Sequence, residues 1–189
     1  MKNAIVAFIA LAITMGAISQ ASAIDRIGWS TTRETMYVHG EIQIGDAKVI
    51  SDAIIANKKR LRGVMLNSGG GSVGEAVRLV ELIQGLEFDT GVTQGGICAS
   101  ACFMLWAAGK NRYLYPDSRI GIHSASMLGE SGKMEENPVS LAVTMLMART
   151  YVDLKVPVSL IGQMVITPPN RMYFLDSNDM LAMNASFVR

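Results

Sequence analysis

The chain has 189 residues and a formal net charge of +1, from 17 basic and 16 acidic residues. This length suits a single domain with a substantial hydrophobic core. The balanced charge, without a large basic patch, argues against nucleic acid as a partner.

The first 23 residues have the pattern of a secretory signal peptide. Lys2 provides the positive start, residues 4–18 are mostly apolar, and residues 21–23 form an A-x-A cleavage site. The apolar stretch is short for a membrane span, so we expect cleavage rather than an anchor. The sequence therefore predicts a single domain over 24–189 that is periplasmic or secreted and leaves the membrane after cleavage.

Strand and helix patterns alternate along the rest of the chain. The predicted elements are a strand at 35–40, a helix at 46–57, a strand at 62–66, a helix after Ser72 to 85, a strand at 90–93, a buried helix after Ser100, strands at 112–115 and 119–124, a loop at 126–137, a helix at 138–153, a shorter helix from 157, a strand at 172–175 and a helix from Asp176. In the helix at 138–153, apolar spacing places Leu141, Met145, Ala148 and Val152 on one apolar face. This succession predicts an α/β fold with a mostly parallel sheet.

Residues 95–109 contain the strongest local signal for chemistry. They begin with two glycines, pass through small residues on both sides of Ser100, and continue as an almost wholly apolar run. A run without a polar face predicts a helix buried on all sides. A serine on a tight turn between a strand and such a helix is typical of a nucleophile elbow.

A second turn, glycines 69–71, follows a strand and precedes a helix. Ser72 and Glu75 have capping-box spacing, which places the helix start at Ser72. The turn lacks the lysine-serine or lysine-threonine ending of a phosphate loop. The N–H groups of Gly70 and Gly71 are expected to point toward Ser100, where Gly71 and Ala101 would provide two donors for an oxyanion. A plain tight turn is the alternative.

The chain has two cysteines, Cys98 and Cys102, and they flank Ser100. In an exported chain we expect a disulfide between them, which would restrain the turn that carries the serine. The alternative is a pair of buried thiols. Two thiols without a nearby histidine do not form a closed zinc site, so neither a metal nor a cofactor is predicted.

His123 is the candidate general base, because it ends a predicted strand and an imidazole titrates near neutral pH. His39, in the first strand, is expected at the opposite edge of the sheet in a structural role. The third member of a triad stays open between Asn170 and Asp176. Asn170 can fix the imidazole tautomer but brings no charge, and Asp176 also sits where a helix N-cap belongs.

Three segments together resemble the proteolytic subunit of Clp protease, and most closely its exported periplasmic relatives. They are LNSGGGSVGEA at 66–76, GICASACFMLWAAGKNRYLYPDSRIGIHSA at 96–125 and TPPNRMYFL at 167–175. The resemblance implies the Clp/crotonase-like fold, a mostly parallel sheet built from ββα units with flanking helices. It also implies contacts between subunits at 126–137, which leaves a homo-oligomer open.

The same resemblance assigns roles to individual residues. It implies that Ser100 is the nucleophile, His123 the base, and Gly71 and Ala101 the oxyanion donors. Asn170 stands where the family has an aspartate. The first hypothesis is therefore an exported serine hydrolase, a peptidase acting on short or unfolded peptides. The alternative is a catalytically weak or inactive Clp-like protein that binds peptides or a partner protein. An acyl-CoA enzyme of the crotonase group is disfavoured by export.

Overall fold

The computed structural model describes residues 26–30, 34–57, 60–128 and 134–188. The predicted signal peptide at 1–23 lies outside these residues. The larger sheet has six strands, in the spatial order β1 (Arg26–Ser30), β2 (Thr35–His39), β3 (Gly63–Asn67), β4 (Asp89–Val92), β6 (Arg112–Leu114) and β11 (Ala185–Phe187). The edge strand β1 runs antiparallel to β2, and every other pair in this sheet is parallel.

A smaller sheet and a hairpin complete the β structure. The smaller sheet has the order β10 (Tyr173–Phe174), β7 (Arg119–Ile122) and β5 (Ile97–Ala99), with β5 and β7 parallel. The hairpin pairs β8 (Met127–Leu128) with β9 (Met134–Glu135) inside the predicted 126–137 loop. From β4 onward the chain passes back and forth between the two sheets. The parallel pairs of the larger sheet confirm the predicted α/β fold with a mostly parallel sheet and flanking helices.

Helices cover one face of this framework. They are α1 (Asp46–Asn57), α2 (Val73–Gly85), α3 (Ala101–Ala107), α4 (Pro138–Asp153), α5 (Val158–Ile166) and α6 (Ser177–Ala182). Every residue of α3 is buried, as its apolar composition predicts, so α3 forms the centre of the core. Of the helices that the structure describes, none is long and apolar enough to span a bilayer.

The start of α2 follows its predicted cap, with one change. Ser72 accepts a hydrogen bond from the Glu75 N–H at 3.4 Å, as an N-cap should. The Glu75 carboxylate does not return to Ser72, as a capping box requires. It is buried and accepts from the Ala47 N–H at 2.9 Å, in the first turn of α1. Glu75 therefore joins the N-termini of two neighbouring helices.

The apolar face predicted for α4 is not its buried face, apart from Ala148, which packs against the core. Leu141, Met145 and Val152 are 61, 66 and 57 % exposed, and the buried face contains Thr144 and Tyr151. The Thr144 hydroxyl donates to the Ser140 carbonyl at 3.0 Å, one turn back in the same helix. Because the helix itself satisfies such hydroxyls, a face with threonine and serine can be buried, while the more apolar face points outward.

Several short strands also differ from the sequence prediction, namely β5, the β8–β9 pair and the two edge strands of the larger sheet. Neither β1 nor β11 was predicted, and the larger sheet depends on both for its outer edges. β11 adds in parallel to β6, with Ser186 in register with Tyr113. A strand as short as the three residues of β11 gives a weak sequence signal, because an alternating apolar pattern needs about four residues or more.

One core hydroxyl gives a stability prediction. The Tyr151 ring packs on Phe103 with centroids 4.8 Å apart, and its buried hydroxyl has no hydrogen-bond partner among the described residues. Burial also raises the pKa of this phenol. Tyr151→Phe removes an unsatisfied polar group, so we expect the free energy of unfolding to rise by about 1 kcal/mol in urea denaturation.

The matched control is Tyr173→Phe, because the Tyr173 hydroxyl donates to Asp179 at 2.8 Å. This variant should show no gain in stability. A Tyr151→Phe protein less stable than the wild type would show that the Tyr151 hydroxyl has a partner.

Candidate active site

Ser100 occupies the turn between β5 and α3, as an elbow requires. Its backbone has φ 56° and ψ −125°, which is a strained conformation for a residue with a Cβ. Its N–H donates to the Gly121 carbonyl at 2.9 Å, and its own carbonyl accepts from Phe103 at 3.0 Å. The side chain makes no cap bond and is half-buried. The hydroxyl is therefore held on a sharp bend and is not used to stabilise the helix.

The glycine turn packs directly against this bend. Ser68, which follows β3, bridges to Cys98 in parallel, with its N–H donating to the Ile97 carbonyl at 2.7 Å. Gly70 has φ +108°, and a Cβ on it would lie 2.6 Å from the Ser100 Cβ. Only a glycine fits so close to the elbow. Gly70 thus does more than form a tight turn, because it allows the turn to pack against Ser100.

Two backbone N–H groups next to Ser100 have no acceptor within the described chain. They belong to Gly71 and Ala101, the predicted oxyanion donors. Gly71 is bridged to Ile42, but that bridge uses the Gly70 carbonyl and the Ser72 N–H and leaves the Gly71 N–H unused. The expectation that the Gly70 N–H also points to Ser100 is wrong, because it donates to Ser68 Oγ at 3.1 Å.

His123 follows β7, the strand that lies beside β5. Ala99 is in register with Gly121, so Ser100 and His123 both follow the carboxyl ends of neighbouring parallel strands. Such strands lie about 4.8 Å apart, which places the two residues at one edge of the sheet. Within the part of the chain that the structure describes, no hydrogen bond joins the Ser100 hydroxyl to the imidazole. Apo catalytic hydrogen bonds are often longer than those of the reacting complex.

The environment of His123 favours the neutral form that a base needs. Burial lowers the pKa of the half-buried imidazole, and the backbone hydrogen bond at Ser124 opposes this shift. Nδ1 lies 2.7 Å from the Ser124 carbonyl oxygen, which can only accept, so Nδ1 carries the proton. The other nitrogen, Nε2, is then free to accept a proton.

His39 lies at a different place from the one expected. It ends β2 in register with Asn67, the last residue of the parallel strand β3. Because β2 and β3 run in the same direction, His39 lies at the carboxyl ends of the strands of the larger sheet, not at their amino ends, whereas Ser100 follows β5 of the smaller sheet. The His39 side chain is exposed. The bond between the Ser100 N–H and Gly121 ties Ser100 to the strand of His123, so His123 stays the candidate base.

Neither candidate for the third triad member contacts His123 in the described structure. Asp176 is the N-cap of α6, and its Oδ1 accepts from Asn178 at 2.8 Å and from Asp179 at 2.9 Å. Asn170 is exposed and lines a cavity of about 270 Å³ together with Glu136. The role of Asn170 stays a prediction.

The sequence analysis did not single out Ser124 or Glu136, although both lie next to the candidate base. The Ser124 hydroxyl donates to Glu136 Oε1 at 3.3 Å. Ser124 could have been noticed because it directly follows His123. Glu136 had no such signal, since the β8–β9 hairpin and the start of α4 bring it back to this position.

A disulfide joins Cys98 and Cys102, with 5.2 Å between their Cα atoms, as predicted. Cys98 lies in β5 and Cys102 in the first turn of α3, and both are fully buried. The covalent link therefore spans the bend at Ser100. Among the described residues, no cluster of three histidine, cysteine or carboxylate side chains could hold a metal ion.

The fold and the site define an α/β protein with a serine and a histidine at the ends of neighbouring strands, the arrangement typical of a serine hydrolase. The chain belongs to the Clp protease family, whose family model (Clp protease) matches residues 19–151, well over half of the sequence. A search of curated proteins finds no match.

Solved structures show the same fold at low sequence identity. ClpP1 from Listeria monocytogenes is 18 % identical with a TM-score of 0.62, over 84 % of this chain and 94 % of that one. The ClpP protease catalytic domain from Plasmodium falciparum is 17 % identical with a TM-score of 0.61, over 84 % and 87 %. A variant of the 1510-N membrane-bound stomatin-specific protease, in complex with a substrate peptide, is 15 % identical with a TM-score of 0.62, over 81 % and 73 %.

Proposed function

We propose that the protein is an exported serine peptidase that cleaves short or unfolded peptides. The observation that carries the proposal is the strained bend at Ser100, whose N–H is bonded to the strand that ends at His123. A serine hydroxyl on a sharp turn, at the same strand ends as an imidazole whose burial lowers its pKa, is the arrangement that nucleophilic catalysis needs. The substrate peptide in the stomatin-specific protease structure agrees with a peptide as ligand for this fold.

The first half of the reaction forms an acyl-enzyme. Ser100 Oγ attacks the peptide carbonyl carbon, and His123 Nε2 takes the hydroxyl proton. The carbonyl oxygen becomes an oxyanion and accepts hydrogen bonds from the Gly71 and Ala101 N–H groups, which have no other acceptor in the described chain. The imidazolium then gives its proton to the leaving amine as the C–N bond breaks.

Water completes the cycle. His123 takes a proton from water, the hydroxide attacks the acyl carbon, and the serine leaves with that proton. This chemistry needs no cofactor.

Export would place the enzyme in the periplasm or outside the cell, and the Cys98–Cys102 disulfide supports an oxidising compartment. A homo-oligomer of this chain remains part of the proposal, by analogy with its family.

A fluorophosphonate probe tests the assignment directly. We expect the exported protein to gain one covalent adduct at Ser100, seen by mass spectrometry. Ser100→Ala and His123→Ala should lower the labelling rate by about 10³-fold or more, because the nucleophile or its base is lost. The matched controls are Ser159→Ala and His39→Ala, two exposed residues outside the site. Both controls should label like the wild type.

A peptide-binding protein without catalysis is the second candidate. The neutral Asn170 and the missing hydrogen bond between Ser100 and His123 in the described structure favour it. A folded wild type that never labels, with its disulfide either intact or reduced, would establish this second function over the first. Peptide binding would then survive Ser100→Ala unchanged.

A further inference from the structure

Ser124 connects the candidate base to two other segments of the chain. It is 5 % exposed, and its carbonyl oxygen lies 2.7 Å from His123 Nδ1. Its N–H donates to the Thr167 carbonyl at 2.8 Å, and its hydroxyl donates to Glu136 Oε1 at 3.3 Å. Ser124 is thus bonded through its backbone N–H to Thr167 and through its hydroxyl to the Glu136 carboxylate.

The start of α4 fixes the backbone next to Glu136, whose side chain is exposed. The next residue, Asn137, is the N-cap of α4, where its Oδ1 accepts from Ser140 at 2.9 Å and its N–H donates to Ser140 Oγ at 2.8 Å. The backbone beside Glu136 is therefore well defined. A carboxylate on a fixed backbone can restrain the Ser124 hydroxyl, and with it the peptide group that bonds to His123.

Charge is the second part of the argument. The cavity beside this network is lined by Glu136, Asn170, Ser126, Pro168 and Pro169, and among these described residues Glu136 has the one carboxylate. Asn170 can offer an amide but no negative charge. The link from Glu136 to His123 runs through Ser124, and a negative charge placed along that link would favour the imidazolium that forms when the base takes a proton.

Other titratable groups lie on the neighbouring elements, and two of them have partners of their own. Arg119, at the start of β7, lies over the Phe174 ring at 3.6 Å. Tyr173, in register with Ile122, donates to Asp179. Glu135 in β9 and Arg171 after Asn170 are exposed, as Glu136 itself is. Of the described ionisable side chains, only Glu136 is hydrogen-bonded to the residue that contacts the His123 ring.

We propose that Glu136 is a positioning residue of the active site. Through Ser124 it fixes the orientation of the His123 imidazole, and it provides the negative charge that Asn170 does not bring. This inference rests on the proposed function for its catalytic meaning. The physical link between Glu136 and His123 can be measured whether or not the protein is an enzyme.

The test is the titration of His123 by NMR in the full exported chain. The chain has only two histidines, so a His39→Gln variant assigns the signals. We expect Glu136→Gln to lower the measured pKa of His123 by about half a unit or more, because a stabilising negative charge is lost. Glu135→Gln, which removes the adjacent carboxylate, is the matched control and should leave the measured pKa of His123 unchanged.

A double-mutant cycle tests the path through Ser124. Ser124→Ala should lower the pKa of His123 in the same direction, and adding it to Glu136→Gln should have little further effect, because both changes break one link. Equal shifts in Glu136→Gln and Glu135→Gln would overturn the inference. So would full additivity of the two changes, since Glu136 would then act independently of Ser124.

Activity distinguishes this inference from the proposed function. If the wild type labels with fluorophosphonate, Glu136→Gln should label more slowly at neutral pH, with the acid limb of its pH profile moved to lower pH. A labelling loss without any change in the His123 titration would assign Glu136 a merely structural role and overturn the inference. If the wild type never labels, the peptidase proposal fails while the NMR titration still decides the role of Glu136.

Discussion

Gly70→Ala is expected to remove most of the fluorophosphonate reactivity and to destabilise the fold. The new methyl group would lie 2.6 Å from the Ser100 Cβ and 2.7 Å from the Ala99 carbonyl oxygen, with φ at +108°. Both contacts are shorter than carbon and oxygen atoms tolerate, so the elbow or the turn must move. A displacement of about 1 Å can cost about 100-fold in rate, and overpacking costs about 1–3 kcal/mol in stability.

Labelling rate and urea denaturation should be measured on the same samples, at a temperature where the variant is folded. Gly69→Ala is the matched control, because a Cβ on Gly69 meets no atom within 4 Å. It should leave both quantities close to those of the wild type. If Gly70→Ala behaves like Gly69→Ala, the glycine turn does not set the position of Ser100.

The elbow was predictable because its information is local. Small residues around Ser100, the glycines before it and the apolar run after it all lie within residues 95–109. The sharp turn, observed with φ at 56°, and the wholly buried α3 were both indicated by that segment. The disulfide has the same origin, since four positions separate its cysteines and they lie on either side of one bend.

The surroundings of His123 were less predictable because they are assembled from distant segments. Ser124 bonds to Thr167 and to Glu136, residues that reach the site through α5 and the β8–β9 hairpin. A sequence pattern shows which side chains could serve as an acid or a base. It does not show which loop will return to the histidine, because the packing of α4 and α5 sets that geometry.

The sequence did not identify the buried face of α4, for a related reason. Apolar spacing identifies a helix face, but this helix has apolar residues on more than one face. The buried face was decided by partners elsewhere: Thr144 Oγ1 also accepts from the Ala125 N–H at 3.0 Å, and Tyr151 packs against Phe103. The spacing of apolar residues in a sequence does not show hydrogen bonds of that kind.

Breaking the Cys98–Cys102 disulfide is expected to lower both stability and reactivity. The bridge closes a very short loop, so the chain-entropy model assigns it about 2 kcal/mol of unfolding free energy. Reduced and oxidised wild type should differ by about that amount in urea denaturation. Intact mass should show two thiols that appear only after reduction, because the chain contains no other cysteine.

The double variant Cys98→Ala, Cys102→Ala provides the control, since a reductant should change neither its stability nor its labelling. Free thiols in freshly exported protein would contradict the bridge itself.

The effect on reactivity is a separate step, because the bridge ties the end of β5 to the first turn of α3 across Ser100. At a temperature where both redox forms are folded, we expect the reduced protein to label more slowly, since the strained bend loses one of its restraints. Equal labelling rates despite lower stability would mean that backbone hydrogen bonds, including the one from Ser100 to Gly121, hold the nucleophile without help from the disulfide.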